Sequence, residues 1–402
     1  MASEKEKQIS AAESYFYKTY NRYPVIFDHG EGVYLYDSEG KAYLDFGAGI
    51  AVNGLGYGDP EYTAAIQGQA GKLLHVSNLY YNEPSIAAAQ KLLKASGMDR
   101  VFFTNSGTEA VEGALKVAKR YAFNKDGKGD HEIIAMRHSF HGRSLGSLSV
   151  TGNDHYQKPF MPLIPGIKFA TFNDLFSVKQ MVNDRTCAII LETIQGEGGI
   201  HPAEADFLEG VGTLCKEKGI LLILDEIQCG MGRTGEMFAW QNYGVKPDVM
   251  TVAKALGNGL PIGAFLARGE AAQAMVPGDH GATYGGNPMV CAGADAVLSI
   301  FEKRNITEHV KKTTPYLEKA LDEVVEIYED VVERRGMGFM QGLEFSVPVA
   351  EVVTTALVQE GLVLISAGNT VIRFVPPLII EEKHIDEMKE KLCSAIKGAG
   401  LK

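Results

Sequence analysis

The sequence predicts an α/β protein built on a mainly parallel sheet between helices, with a smaller α+β part formed by the two chain ends. Three observations carry this. From residue 100 to about 270, short Ile/Leu/Val-rich runs alternate with helical patterns, the signature of parallel strands joined by helical crossovers. Two of these runs, Ile220–Asp225 and Asp248–Ala253, are followed or ended by a charged residue, Asp225 and Lys254, where a doubly wound sheet presents ligand-binding groups. After about residue 300 the periodicity turns helical with only a few strands.

Taken in order, residues 1–30 predict an amphipathic helix carrying Tyr15, Phe16, Tyr20 and Tyr23, then an extended lead-in after Pro24. Gly32–Phe46 predicts a β-hairpin around the turn Asp37-Ser38-Glu39-Gly40. A glycine-rich loop follows at Gly47–Gly58, with helices at 60–75 and 84–96. Strands are expected at Val101–Thr104, Glu132–Met136, Lys168–Thr171, Cys187–Glu192, Ile220–Asp225, Asp248–Ala253 and Gly263–Ala267. Later strands are expected at Gly338–Glu344, Leu362–Ile365 and Val371–Val375, with a last helix from Glu381. This gives a large domain at 53–298 and a small one from 1–52 together with 299–402.

The 402 residues are 45% hydrophobic and 22% charged, ordinary for a globular protein with a sizeable core. A net charge of −11 argues against non-specific nucleic-acid binding. No apolar run is long enough for a membrane span, and the polar start Met1–Gln8 does not read as a signal peptide. Five cysteines without paired spacing fit free thiols in a reducing, cytoplasmic setting.

Four motifs carry chemistry. Asn105-Ser106-Gly107-Thr108-Glu109-Ala110 follows a strand and opens a helix. Its free N–H groups, dipole end and hydroxyls suit a phosphate, although the same residues would also serve a plain capped helix start. In Ser139-Phe140-His141-Gly142-Arg143, Phe140 could stack on a flat ring and Arg143 could grip a carboxylate; a core phenylalanine and a solvated arginine are the alternative. His138 and His141 have no nearby Cys or carboxylate to complete a metal site, so no metal is expected. Glu192–Gly199 places two acids, Glu192 and Glu197, in a glycine loop at a strand end, where one could simply order the loop.

The last motif is the strand-final Asp225-Glu226. In a nucleotide hydrolase such an acid would hold magnesium, but the required G-x-x-x-x-G-K-[ST] loop is absent. A lysine that joins an aldehyde, an aspartate that keeps a ring nitrogen protonated, a phosphate cup and a stacking aromatic instead describe pyridoxal 5'-phosphate. A non-catalytic binding protein is the remaining competitor from another class.

With these motifs in this order, the chain resembles the class III (subgroup II) aminotransferases of fold type I. The resemblance spans Gly30–Leu35 to Arg373–Leu378, anchored by Asn105–Ala110, Phe140–Arg143, Leu224–Gln228, Ala253–Gly259 and Thr283–Pro288. It implies that Lys254 is the Schiff-base lysine and proton shuttle, with Asp225 at the pyridine nitrogen. It implies Ser106, Gly107 and Thr108 as the phosphate cup, Phe140 and Ile227 on the ring faces, Gln228 near the phenolic oxygen, and Glu226 among the cofactor contacts. Thr283 would be a phosphate ligand given to the other subunit of a homodimer with shared active sites.

Substrate residues follow in the same way. Arg373 would bind the α-carboxylate of glutamate, Glu197 would mask it when no carboxylate belongs there, and Arg143 would take the distant carboxylate of an acylated diamine. The segment Gly47–Asn53 lacks the tyrosine of ornithine-specific members, and Ser77-Asn78-Leu79-Tyr80-Tyr81 is typical of acetylornithine-specific ones. Ala282 stands where those members usually have serine, with a contact to the acyl donor or partner subunit at stake; Tyr57–Pro60 replaces a His-containing version. The implied reaction is ping-pong transfer of the δ-amino group of N2-acetylornithine to 2-oxoglutarate. Succinylornithine, succinyldiaminopimelate and 4-aminobutyrate are alternative donors.

Overall fold

The computed structural model describes residues 4–402. Helix α1 (Glu4–Tyr15) opens the chain and stops well before Pro24, where the expected helix was to give way to an extended lead-in; residues 1–3 lie outside the described residues. Tyr15, Phe16 and Tyr17 are consecutive, so a continued helix would aim them about 100° apart, and no single face could bury them. They stand exposed, as do Tyr20 and Tyr23.

Strands β1 (Phe27–Glu31), β2 (Tyr34–Asp37) and β3 (Ala42–Asp45) form an antiparallel meander. The expected hairpin is β2–β3. Its turn is held by the Asp37 carboxylate, which accepts from the Glu39 and Lys41 amides and from the Tyr43 hydroxyl. A distorted turn, α2 (Ala48–Ala51), leads to α3 (Pro60–Ala70), which starts on the Asp59 cap. Helix α4 (Glu83–Ser96) starts on the Asn82 cap and ends at left-handed Gly97.

The central sheet is built from β4 (Arg100–Thr104), β5 (Glu132–Met136), β6 (Ile167–Ala170), β7 (Thr186–Glu192), β10 (Leu221–Asp225), β11 (Val249–Val252) and β12 (Gly263–Ala267). A two-strand ribbon, β8 (Ile194–Gln195) and β9 (His201–Pro202), lies between β7 and β10 in the chain. Sheet order is β4-β12-β11-β10-β7-β5-β6. The pairings from β11 through β6 are parallel, and only β12 runs against its neighbours. Helices α5 (Gly107–Asp126), α6 (Leu145–Ser149), α7 (Asp154–Gln157), α8 (Leu175–Met181) and α9 (Ala205–Lys218) are interspersed, and α5 packs across β11 and β12. All residues of β7, β10 and β11 are buried, which is why they read as unbroken apolar runs. Their register sets Glu192, Asp225 and Thr251 side by side at the strand ends.

Helices α10 (Pro288–Arg304) and α11 (Ile306–Ile327) lead into an antiparallel sheet, β13-β14-β17-β16. Here β13 (Val331–Met337) and β14 (Met340–Phe345) form a hairpin where a single strand at 338–344 was expected. Helix α12 (Ala350–Thr355) comes next. The expected strand 362–365 is two strands in different sheets. β15 (Leu362–Val363) pairs in parallel with β3, while β16 (Ile365–Ala367) pairs with β17 (Val371–Phe374). Helix α13 (Glu382–Gly398) ends the chain. Among the described residues no helix is long and apolar enough to cross a membrane. Cys187, Cys215, Cys229 and Cys291 are buried free thiols, and Cys393 is a half-buried one.

Candidate functional site

A cavity of about 490 Å³ opens beyond the C-terminal ends of β7, β10 and β11. Asp225, the last residue of β10, is 3% exposed and lines its floor. Its Oδ1 accepts from the Ile227 amide (3.0 Å) and the Thr251 hydroxyl (3.1 Å). Its Oδ2 lies 2.7 Å from His141 Nδ1. Burial pulls the imidazole pKa down, but the hydrogen bond and charge of Asp225 outweigh it, so His141 titrates above its ordinary value. His141 Nε2 is buried without a hydrogen-bond partner. Glu192, beside Asp225 in register, accepts from the Phe140 amide (3.0 Å) and the Gly196 amide (3.3 Å), and burial pushes its pKa up to about 7.

One wall is the start of α5. Ser106 caps the helix, accepting from the Glu109 amide. Glu109 reaches back to the Asn105 amide (2.7 Å) and the Asn105 side chain (2.9 Å). That leaves the first-turn N–H groups and the positive helix end turned to the cavity, which Asn105, Ser106, Gly107 and Thr108 line. The Thr108 hydroxyl itself is taken up by Ser144 (2.8 Å) and Ser147 (2.5 Å). Gly142, at φ +135°, lets these segments meet; a Cβ there would lie 2.4 Å from Thr108 Oγ1. Phe140 and Ile227 supply apolar surface, and Ile227 sits so close to Gly107 that a Cβ on Gly107 would be 3.0 Å from it.

Lys254 follows β11 and reaches the same cavity from a left-handed backbone position, φ +47°. Burial, reinforced by the positive charge of Arg373, pushes its pKa down to about 8. Among the described residues its Nζ makes no hydrogen bond or ion pair, so Asp225 and Lys254 share a cavity without pairing.

Two arginines define the rest. Arg373, on β17 and 2% exposed, donates from Nη1 to Glu197 Oε1 (2.7 Å) and Gln228 Oε1 (2.9 Å). Its Nη2 donates to the Ser366 carbonyl, and its Nε is buried without a partner. Arg143 is exposed at the cavity rim, with its guanidinium carbon 3.7 Å from the centre of the Tyr156 ring.

Five expected residues do not line this cavity: Arg373 adjoins it through Gln228, with Glu197 paired to that arginine, and Glu226, Thr283 and Ala282 lie elsewhere. Glu226 requires correction: successive strand residues face opposite sides, so with Asp225 facing the cavity Glu226 points into the core. There it accepts from the Thr193 hydroxyl (3.1 Å) and the Ala239 (2.7 Å) and Trp240 (2.8 Å) amides. Thr283 and Ala282 lie on a loop away from the cavity of their own chain, with Asn78 Nδ2 donating to the carbonyls of Ala282 (3.0 Å) and Gly285 (2.9 Å). In turn, sequence reasoning gave His141 no part beyond a rejected metal ligand and missed Tyr156. Nothing local reveals the bond from His141 to a residue 84 positions away. Among the described residues no cluster of three or more His, Cys, Asp or Glu side chains is placed to hold a metal.

The donor set suits one kind of guest: a flat aromatic ring with an anionic group for the helix start, a basic ring nitrogen for Asp225 and a carbonyl for Lys254.

Comparison with known proteins agrees with this chemistry. A family model described as class-III aminotransferase matches residues 15–396. An acetylornithine aminotransferase of Methanocaldococcus jannaschii is 46% identical over 383 residues, 95% of this chain and 96% of that one. A succinylornithine transaminase of Yersinia pseudotuberculosis is 44% identical over 387 residues, 94% of each chain. Among solved structures, an ornithine aminotransferase of Toxoplasma gondii described with partial occupancy of PLP at its active site matches with a TM-score of 0.94. It is 27% identical, covering 98% of this chain and 95% of that one.

Proposed function

We propose a function from one premise: this chain belongs to the class-III aminotransferases. Its reaction moves the δ-amino group of N2-acetyl-L-ornithine to 2-oxoglutarate, giving N-acetyl-L-glutamate 5-semialdehyde and L-glutamate, with pyridoxal 5'-phosphate as cofactor. The observation that carries this reading is the contrast between the two arginines: Arg373 is paired with Glu197, while Arg143 has no acidic partner among the described residues. An acylated diamine brings its reacting amine without a neighbouring carboxylate, which suits a masked Arg373, and its distant carboxylate suits Arg143. Glutamate brings its α-carboxylate beside the reacting carbon, and displaces Glu197 from Arg373.

When bound, the cofactor supplies an aldehyde that takes up the amino group and a ring that accepts the electron pair left as the substrate's hydrogen departs. The chain does the rest. The Ser106–Thr108 segment binds the phosphate. Asp225, held by His141 and Thr251, keeps a proton on the ring nitrogen. Phe140 and Ile227 would pack on the ring, and Gln228 would meet its phenolic oxygen. Lys254 Nζ, with a pKa of about 8, takes the substrate's proton and returns it one position along.

In this reading the labour divides between residues 53–298, which hold the cofactor, and residues 1–52 with 299–402, which bring Arg373. A homodimer completes the site, with Thr283 of each chain serving its partner. Support comes from the exposure of Thr283 and from the apolar surface beside it, where Leu74, Leu79, Tyr80, Tyr81 and Tyr284 are all exposed.

The test is a comparison of half-reaction rates with acetylornithine, succinylornithine, ornithine and 4-aminobutyrate, followed by the visible absorption of the bound cofactor. Acetylornithine is expected to react fastest. Faster reaction of 4-aminobutyrate would overturn the donor, and an absorption band unchanged by Lys254→Ala would overturn the role of Lys254. Succinylornithine is the second donor to weigh, since one close relative carries that activity in its name.

A further inference from the structure

We propose that Tyr156 is the positioning residue for Arg143, and that this aromatic contact sets the enzyme's grip on donors with a distant carboxylate. The proposal rests on the reading that Arg143 takes the α-carboxylate of the acylated donor. Among the described residues Arg143 makes no hydrogen bond and no ion pair. Its attractive partners are two rings: Tyr156, 3.7 Å from the guanidinium carbon to the ring centre, and Phe140, 5.6 Å away. The rings meet edge to face, 6.1 Å apart at 81°, and form an aromatic corner around the cation.

The corner itself is fixed. Tyr156 lies on α7, which starts from the Asn153 cap. The next residue, Gln157, ties the turn down by donating to the carbonyls of Leu148 (2.9 Å) and Thr151 (2.9 Å). A free arginine at a cavity rim would lose much rotamer freedom on gripping a carboxylate. Held against a ring face, it has already lost that freedom while its N–H groups remain available to a carboxylate. The two arginines therefore use opposite devices. Arg373 is blocked by a carboxylate that a substrate must displace; Arg143 is held by rings that do not compete for its N–H groups.

The test uses the cofactor-loaded enzyme. Tyr156→Leu is expected to raise KM for acetylornithine about fivefold, with kcat within about twofold and KM for 2-oxoglutarate unchanged. Tyr156→Phe, which keeps the ring, should behave as wild type. N-acetyl-L-norvaline, the donor without its reacting amine, gives a readout independent of turnover: its Kd by calorimetry should weaken about fivefold in Tyr156→Leu. In an Arg143→Ala background the same change should have no further effect.

Equal losses for both substrates, a Tyr156→Phe enzyme as poor as Tyr156→Leu, or an undiminished Tyr156 effect without Arg143 would each overturn the proposal. Wild-type binding of N-acetylnorvaline tests the donor reading, and the ratio of variant to wild type tests Tyr156. Absence of wild-type binding and turnover would overturn both. Wild-type binding left unchanged in Tyr156→Leu would overturn Tyr156 alone.

Discussion

Glu197 accepts from Arg373 at 2.7 Å, yet Arg373 Nε has no partner, so this buried cation depends on Glu197 and Gln228 when no substrate carboxylate is present. Glu197→Ala should therefore lower kcat/KM for the acylated diamine relative to that for glutamate, by about tenfold if the pair contributes roughly 1.4 kcal/mol. Single-turnover rates of the two half-reactions measure this; equal losses in both would count against masking. Lys254 gives a prediction in pH. Its pKa of about 8 lies below the ordinary lysine value of 10.5, so between those values the unfolded chain binds more protons and stability rises with pH. In the cofactor-free protein, Lys254→Met should raise Tm by a few degrees at pH 7, and the gain should shrink as pH climbs from about 8 toward 10.5. At this scale Asp225 and Lys254 were legible because each follows an apolar run that could only be a buried strand. Glu226 was misread because sequence adjacency to Asp225 hid the alternation of a strand. His141 and Tyr156 were illegible because their partners come from folding, not from spacing.

The junction between the α5 start and the 142–147 loop is the element on which the anion site depends. Gly142→Ala would press a methyl group against the Thr108 and Ser147 hydroxyls, 2.4 and 2.5 Å away, from a backbone angle that disfavours side chains. The expected cost is about 1–3 kcal/mol, together with weaker retention of pyridoxal phosphate, read by thermal melting and cofactor titration. Gly127→Ala, at the far end of α5 with φ +72° and open space around it, is the control: it should lower stability and leave cofactor affinity alone. The central strands were readable since burial on both faces leaves nothing but apolar residues. β13 was not, because in Val331–Met337 only Val331 is fully buried and the run includes Glu333, Arg334 and Arg335. The run 362–365 looked like one strand because sequence periodicity cannot show a chain passing from one sheet to another.

Across the whole molecule, the largest side chains left uncovered include Leu79, 86% exposed, and Tyr81, 94% exposed. They belong to the same surface as Tyr284, since Asn78 bonds to the loop that carries it and His75 meets its ring at 5.2 Å. Such a surface is expected to be covered by a second copy. Sedimentation should give twice the 43.6 kDa chain mass, and a Leu79→Glu/Tyr81→Glu variant should sediment as a monomer with little activity. A monomeric wild type with full activity would remove the shared site from the proposal.

The parallel pairing of β3 with β15 sets Leu44 opposite Leu362 and Asp45 opposite Val363. On a ribosome this has a cost in time. The amino-terminal meander is made first, but the strand that covers its open edge comes from near the other end of the chain. At about 5–20 residues per second, that edge waits roughly 15–65 s before its partner exists. Until then it is an unpaired template for other strands, and the nascent chain is a natural client for chaperones that shield such edges.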